Sequence, residues 1–303
     1  MRVTAPLPSV HPGWLAVPDN NISDTSLTST QRSWNLILDG SGEGPFNMAF
    51  DEVLLRHVSS PGCPHVTYLR FYQWERPTLS LGFSQKAARI TSFEFCRQHN
   101  IPIVRRLTGG KAVLHDRELT YSVVSNDPTF FPPSDITATY ARIAEALLRG
   151  LAHLGVEATL TDRVFRPSQP LSSACFAVAN HHELLWKDKK LVGSAQHRTR
   201  DSFLQHGSIP IEFNARQLAG CLGLADVAGM EQKVTDLHSA VGHSPSPQEI
   251  ASAMSRGFCE TFGIRLHGFE FSARLLDEAR QLAATKYAHV VWDRPMHLLG
   301  TRC

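Results

Sequence analysis

Between Arg105 and His115 the sequence RRLTGGKAVLH sets two arginines, a glycine pair, a lysine and a histidine within eleven positions, with apolar alternation on both sides. Side chains of these types bind anions and polarise carbonyls, and backbone N–H groups beside a glycine pair lie open to a ligand. A second candidate pairs Cys175 with Lys190, fifteen residues on. A thiol attacks as thiolate, and with a free pKa of about 8.5 it needs a positive neighbour to ionise at neutral pH. Lys190 stands across one expected hairpin turn from the strand that begins after Cys175, so the two can meet at one sheet edge.

Two readings stand open at each place. As an ordinary hairpin edge, Gly109 and Gly110 supply only the positive φ of a turn; as a site, their N–H groups and that of Lys111 would hold a developing oxyanion. Lys190 is either a surface lysine of a KDKK turn beside a buried cysteine or the cation that ionises it. What separates it from Lys187 and Lys189, read as turn residues, is the LVGSAQ that follows. A Gly193-Ser194 step inside a strand marks a close approach of backbone to a ligand or another segment. His115 either bonds within the site or is a satisfied core histidine. Arg105 and Arg106 alternate across a strand, so only one faces the site; alternation assigns neither, and Arg106 is carried forward as the candidate.

These groups need a scaffold. Residues 1–33 are rich in Pro, Ser, Thr and Asn without a period, and read as a flexible arm. From Trp34, WNLILD reads as a buried strand. A helix is expected over Asn47–Val58, with Asn47 as cap, Asp51 and Glu52 in its first turn, and Phe50, Val53, Leu54 and His57 on the core face. Strands follow at 66–74 and 78–83, parted by Pro77, then a helical stretch from Ser84 to about Asn100. IPIVRRL is a strand, and AVLHD with ELTYSVVSN is expected to form a hairpin turning at Asp116 and Arg117. The 3.6-residue period from Tyr140 to Leu154 predicts a core-covering helix over 135–154, stopped by Gly155. VEATLT reads as a strand, and the runs HHELLW, LVGSAQHRT and FLQHGSIPIE as a three-stranded meander. SPQE at 246–249 is a capping box that opens a helix burying Ile250, Ala251, Met254 and Phe258, and a last helix is expected over about 272–284. Strands and helices interleave without a clean linker, which predicts one mixed α/β domain over 34–303.

Composition narrows the function. The 303 residues are 42% hydrophobic and 19% charged, with 30 lysines and arginines against 28 acids and a net charge of +2. That balance, with no sustained basic run, argues against nucleic acid as partner. No apolar run reaches the roughly 18–20 residues of a membrane span, and no signal-peptide core follows Arg2, so no membrane partner and a cytoplasmic location are expected. Six cysteines without a CxxC pair or metal-ligand spacing argue against both zinc and a disulfide framework, and no cofactor is called for. Each is by default a small buried hydrophobe; Cys96 and Cys259 fit that default, and Cys175 does not.

RRLTGGKAVLHD resembles the RRxxGGGAVYHD-type motif of the lipoate-protein ligase and octanoyltransferase superfamily. FNMAFDEVLL is similar to that superfamily's first helix, LRFYQWERPTLSLGFSQ to its next strand pair, and ACFAVANHHELLWKDKKLVGSAQHRTRDSFLQHGSIPI to its central meander. Four segments agree in order, from Trp34 to Ile211 and more weakly to Trp292. Within the superfamily the chain most resembles the cysteine-dependent octanoyltransferases. Lys111 replaces the third glycine of the ligase motif, where the transferases commonly carry a basic residue, and Cys175 stands in the CF dipeptide that carries their acyl-accepting cysteine. The resemblance implies an α/β fold, a mixed sheet with flanking helices, of the type shared by biotin/lipoate-protein ligases and class II aminoacyl-tRNA synthetase catalytic domains. It implies that Cys175 takes octanoyl from acyl carrier protein as a thioester, that Lys190 lowers its pKa, and that the acyl group passes to a lysine of a lipoyl domain such as the glycine-cleavage H protein. Arg106, Gly109, Gly110, Lys111, His115, Gly193 and Ser194 are the expected substrate-binding positions, and a monomer is expected. An ATP-dependent lipoate ligase, in which Lys190 would hold a carbonyl oxygen, and a non-catalytic acyl or carrier-protein binding protein are the alternatives.

Overall fold

In the computed structural model the described residues are 32–161 and 183–288. Residues 1–31 of the expected N-terminal arm, Cys175 and Cys303 lie outside them, and Ser33, expected to end the arm, already belongs to the first strand.

The chain runs β1 (Ser33–Gly42), α1 (Gly44–Val58), β2 (Thr67–Trp74), β3 (Thr78–Leu81), α2 (Ala87–Ile90), α3 (Phe93–Gln98), β4 (Ile103–Arg105), β5 (Val113–His115), β6 (Glu118–Ser125), α4 (Ile136–His153), β7 (Thr159–Leu160), β8 (Leu184–Trp186), β9 (Lys189–Arg198) and β10 (Phe203–Pro210). After them come α5 (Ala215–Leu222), α6 (Val227–Lys233), α7 (Leu237–Val241), α8 (Pro247–Phe262), β11 (Arg265–Gly268), α9 (Ala273–Leu282) and one π-helical turn, Ala283–Tyr287. Eight strands form a mixed sheet in the order β11-β1-β2-β6-β10-β9-β8-β7, and β4-β3-β5 form a second, small sheet. No described helix is long and apolar enough to cross a membrane.

Strand alternation divides the large sheet into two faces. Phe71, Leu119, Tyr121 and Val123 pack with Ile143, Leu147 and Leu151 of α4 and Met254 and Phe258 of α8 in the main core. The alternate positions, Tyr68, Val124 and Leu204, pack with Phe50, Val53 and Leu54 of α1. Between these apolar patches the α1 face also buries Arg70, Thr120, Ser122, His206 and Ser208. A row of polar residues on a buried face must be hydrogen-bonded within the protein. That requirement is what makes the site.

The expected α/β class holds, as do the helix over α4, which Asp135 caps, the stop at Gly155, the meander β8-β9-β10 and the capping box of Ser246 and Glu249, though the cap role of Asp135 was not among the expectations. Several local expectations are corrected. α1 starts three residues early, because Pro45 in its first turn pre-sets helical φ. Asn47 is therefore inside the helix, where its Nδ2 donates to Gly42 O (3.2 Å) and Gln73 O (2.9 Å). His57 is exposed rather than core. The stretch after Ser84 breaks into two short helices, with Ser92 rather than Ser84 capping the longer. β5 and β6 do not form a hairpin: β5 pairs with β3 in the small sheet and β6 with β2 and β10 in the large one. Lys189 belongs to β9; the turn is Lys187 and Asp188, both at positive φ, as a two-residue hairpin loop demands.

Candidate active site

The small sheet stands over the α1 face of the large one, and the space between them is a cleft of about 550 Å³, its open mouth included. A concave cleft lined mainly by apolar surface with a few convergent polar groups is the usual form of a small-molecule site. Its floor follows from the register. Gly193 pairs with Ser208, Ser208 with Thr120 and Thr120 with Tyr72, so one row of cleft-lining residues crosses four adjacent strands, β9, β10, β6 and β2. Lys190 and Glu183 line the β9 side, Met48 and Tyr72 the α1 side, and His115, Arg106 and Gly110 the small-sheet side.

Lys190 is buried, and its Nζ donates to Glu183 Oε1 at 2.5 Å. A buried ion pair is costly to desolvate, and removing one partner leaves an uncompensated charge. Glu183 O in turn accepts from Thr161 N (3.0 Å), so the chain leaves at Thr161 and re-enters at Glu183 at a single point beside Lys190. Residues 162–182, Cys175 among them, join those two ends.

Arg106 organises the opposite wall. Its Nε donates to Thr108 Oγ1 (3.1 Å), its Nη1 to Ser80 Oγ (3.0 Å) and O (3.2 Å), and its Nη2 to Gly109 O (2.8 Å) and Lys111 O (2.7 Å). The guanidinium therefore fixes the glycine corner through carbonyls, which turns those carbonyls toward Arg106. Glycine is required where this corner meets the β3 end: a Cβ on Gly82 would fall 2.0 Å from Gly110 O, and Gly110 itself has φ +87°. Arg105 points elsewhere, with Nη1 donating to Gly82 O, Phe83 O and Gln85 O.

Two carboxylate–histidine–hydroxyl arrays converge on Arg106. In one, Asp51 Oδ2 lies 3.2 Å from His206 Nδ1, and His206 Nε2 lies 2.7 Å from Thr108 Oγ1. Burial pushes the His206 pKa down despite the Asp51 carboxylate beside it. For Asp51, burial acts to raise the pKa, but Arg70 and His206 outweigh it and hold the carboxyl below the usual range. The ring is then neutral: Nδ1–H donates to Asp51, and Nε2 accepts from the Thr108 hydroxyl. In the other, His115 Nδ1 donates to Glu118 Oε1 (2.8 Å) and its Nε2 faces Ser80 Oγ (2.7 Å). Glu118 also accepts from Thr120 and Ser208, both at 2.5 Å; burial opposes its ionisation, but His115 and these hydroxyls bring its pKa below the ordinary value. His115 is thus both hydrogen-bonded and part of the cleft wall, stacked on Trp74 at 4.0 Å.

Of the positions singled out in sequence, Arg106, Gly110, His115, Lys190, Gly193 and Ser194 line the cleft together. Gly109 and Lys111 flank it, their carbonyls held by Arg106. Ser194 Oγ lies 2.7 Å from Tyr121 OH, and burial pushes the Tyr121 pKa up to about 12. The close approach expected at the Gly193-Ser194 step is seen from the partner strand: a Cβ on Gly207 would sit 2.6 Å from Gly193 O. Sequence reasoning missed Asp51, Ser80, Glu183 and His206. Only His206 stood in a telling context, the polar Gln205, His206 and Ser208 of a strand in which every position is buried.

Residues 43–259 match the model of the lipoyl protein ligase A/B catalytic domain. The chain belongs to this family. It is 37% identical over 273 residues to octanoyltransferase LipM of Kyrpidia tusciae, covering 86% of this chain and 98% of that protein. To octanoyltransferase LipM of Bacillus subtilis it is 34% identical over 275 residues, covering 87% and 98%. Among solved structures, a lipoate-protein ligase A bound with ATP superposes with a TM-score of 0.70 at 25% identity, over 86% of this chain and 98% of that one. A bi-partite lipoate protein ligase from Thermoplasma acidophilum shares the fold, with a TM-score of 0.70 at 23% identity over 86% and 96%. As a member of the lipoyl protein ligase A/B family, and an octanoyltransferase within it, the chain has its cleft where two sheets and α1 meet.

Proposed function

We propose that this octanoyltransferase works by two successive acyl transfers in lipoate biosynthesis, in the cytoplasm and as a monomer. Octanoyl-acyl carrier protein is the donor. The Cys175 thiolate attacks the donor's thioester carbonyl, the carrier thiolate leaves and takes up a proton, and octanoyl remains on Cys175. The amine of a lipoyl-domain lysine, on the glycine-cleavage H protein or a similar acceptor, then attacks that thioester. The amide forms with loss of one proton, and Cys175 leaves as thiolate. Lys190 favours the thiolate in both steps, and Glu183 keeps its ammonium in place. Backbone N–H groups of the glycine corner receive the carbonyl oxygen as it becomes an oxyanion.

The observation that carries this reading is the Thr161–Glu183 junction. Thr161 and Glu183, the described residues on either side of the stretch that contains Cys175, meet beside the buried Lys190–Glu183 pair at the edge of the cleft. The names of the relatives supply the acyl group. Intact-protein mass spectrometry after mixing with octanoyl-acyl carrier protein tests it. One octanoyl group should be gained, be lost with hydroxylamine, and be absent from Cys175→Ala. A Cys175→Ala protein that still accumulates the thioester, or transfer that needs ATP, overturns it, and the second result would favour the ligase chemistry.

A further inference from the structure

The cleft has two unlike ends, and a row of its lining residues follows the strand order. From Gly193 on β9 through Ser208 and Thr120 to Tyr72 on β2 there are three interstrand steps, about 14–15 Å at the usual spacing. The β9 end holds the Lys190–Glu183 ion pair; the β2 end is lined by Met48 of α1 and Tyr72. Met48 is 3% exposed, and behind it Trp74, Val104 and Tyr287 complete an apolar cluster. A chain whose carbonyl lies at the charged end therefore places its terminal methyl against Met48.

We propose that Met48 sets the acyl chain length that this enzyme accepts, by forming the end wall of the cleft. The assignment rests on the reading of Cys175 and Lys190 as the carbonyl end. Two features make the wall firm. α1 cannot retreat from the sheet around Met48, because Arg70 Nη1 donates to Asn47 O (3.2 Å) and Nη2 to Asn47 Oδ1 (3.0 Å), while Asn47 Nδ2 holds Gln73 O. The start of α1 is also jammed against β3 and β4, since a Cβ on Gly44 would lie 2.7 Å from Thr78 Cγ2 and 3.2 Å from Val104 Cγ1. With the backbone fixed, the length of the cleft depends on the residue at 48. An unbranched thioether fills an irregular end without a fixed shape, which suits a stop for a flexible alkyl tail.

The test is competitive loading of the full-length enzyme with a series of acyl carrier proteins from butanoyl to dodecanoyl, read by intact-protein mass spectrometry. Wild type should load octanoyl first. Met48→Ala should raise decanoyl and dodecanoyl loading relative to octanoyl by about tenfold or more, the range expected when a pocket admits or refuses a methylene. Met48→Phe should act in the opposite direction, keeping hexanoyl and losing octanoyl, and carries the test alone if Met48→Ala proves too unstable to purify. An unchanged ratio in the folded variant overturns the proposal. A wild-type enzyme that loads no acyl chain at all fails the underlying reading, and the proposal with it, an outcome distinct from loading without a shift.

Discussion

Arg70 and Lys190 are both cations buried on the same sheet, yet their surroundings are opposite in kind. The Arg70 guanidinium is enclosed on every side. Nε and Nη2 donate to Asp39 Oδ2, Nη1 donates to Asp51 Oδ1 at 2.8 Å, and the plane lies over Tyr72 at 3.9 Å and near Phe50 at 4.7 Å. Burial alone would lower its pKa, but Asp39 and Asp51 raise it. Nothing of Arg70 lines the cleft, whereas Lys190, equally buried, lines it with its carboxylate partner beside it. Burial and charge therefore do not separate the two cations. What separates them is that Lys190 borders the cleft.

The comparison is broken most severely at Lys190. Lys190→Met should slow acyl-enzyme formation about a hundred- to thousandfold, the cost of losing one preorganised charge at a reacting centre. It should also destabilise the fold by about 3–5 kcal/mol, because Glu183 is left charged and buried. Adding Glu183→Leu should restore the urea midpoint and leave the loading rate low. Recovery of both together would mean that Lys190 serves only the fold.

Arg70→Met should show the reverse. Asp39 and Asp51 lose their counter-charge, and stability should fall by about 3–5 kcal/mol, while loading per folded molecule at low temperature should fall far less than in Lys190→Met, because Arg70 reaches the cleft only through its hold on Asn47. Denaturant unfolding beside single-turnover loading separates the two effects. A loading rate that falls with no change in stability would place Arg70 in the chemistry.

Arg106 lies between these extremes, lining the cleft while its donors hold protein groups. Arg106→Lys keeps the charge but loses the planar fork that binds two hydroxyls and three carbonyls. It should cost about 1–3 kcal/mol through acceptors left unpaired, and up to about a hundredfold in kcat/KM as the glycine corner shifts. Full activity in a folded Arg106→Lys would show that the corner does not need this anchor.

How much of this was legible in the sequence depends on the range of the contact. The capping box at Ser246 and the stripe on α4 are local patterns, and the structure follows them. Which strand β5 would join is not local, because alternation reveals a face and not a neighbour. So AVLHD and ELTYSVVS looked like partners although they belong to different sheets. The choice between Arg105 and Arg106 needed the exact end of β4 and the position of Ser80, which tertiary structure supplies. Asp51 and His206 lie 155 residues apart, on a helix and a strand whose local patterns say nothing of each other. Glu183 stood in plain view seven residues before Lys190, but only the β8–β9 hairpin shows that their side chains meet.

The smallest expected effect concerns pH and the Asp51–His206–Thr108 array. His206 has a folded-state pKa below its usual value because burial disfavours the charged ring. Between that lowered pKa and the ordinary value of about 6.5, the unfolded chain binds a proton at this histidine that the folded protein refuses. Unfolding is favoured wherever the unfolded state binds more protons, so the His206 contribution is fully present above about pH 6.5 and shrinks as pH falls toward the folded pKa. Asp51 and Glu118, whose folded pKa values are lowered, contribute in the same sense at more acid pH. Their stability is present above the ordinary carboxylate range and is lost as pH falls through the folded values. His206→Gln retains a donor and an acceptor but does not titrate. Between pH 7.5 and 5.5 its urea midpoint should fall less than that of wild type, whereas the steeper loss below pH 4 should persist. Equal slopes in the two proteins through the upper interval would mean that His206 is not the neutral, buried group on which the orientation of Thr108 depends.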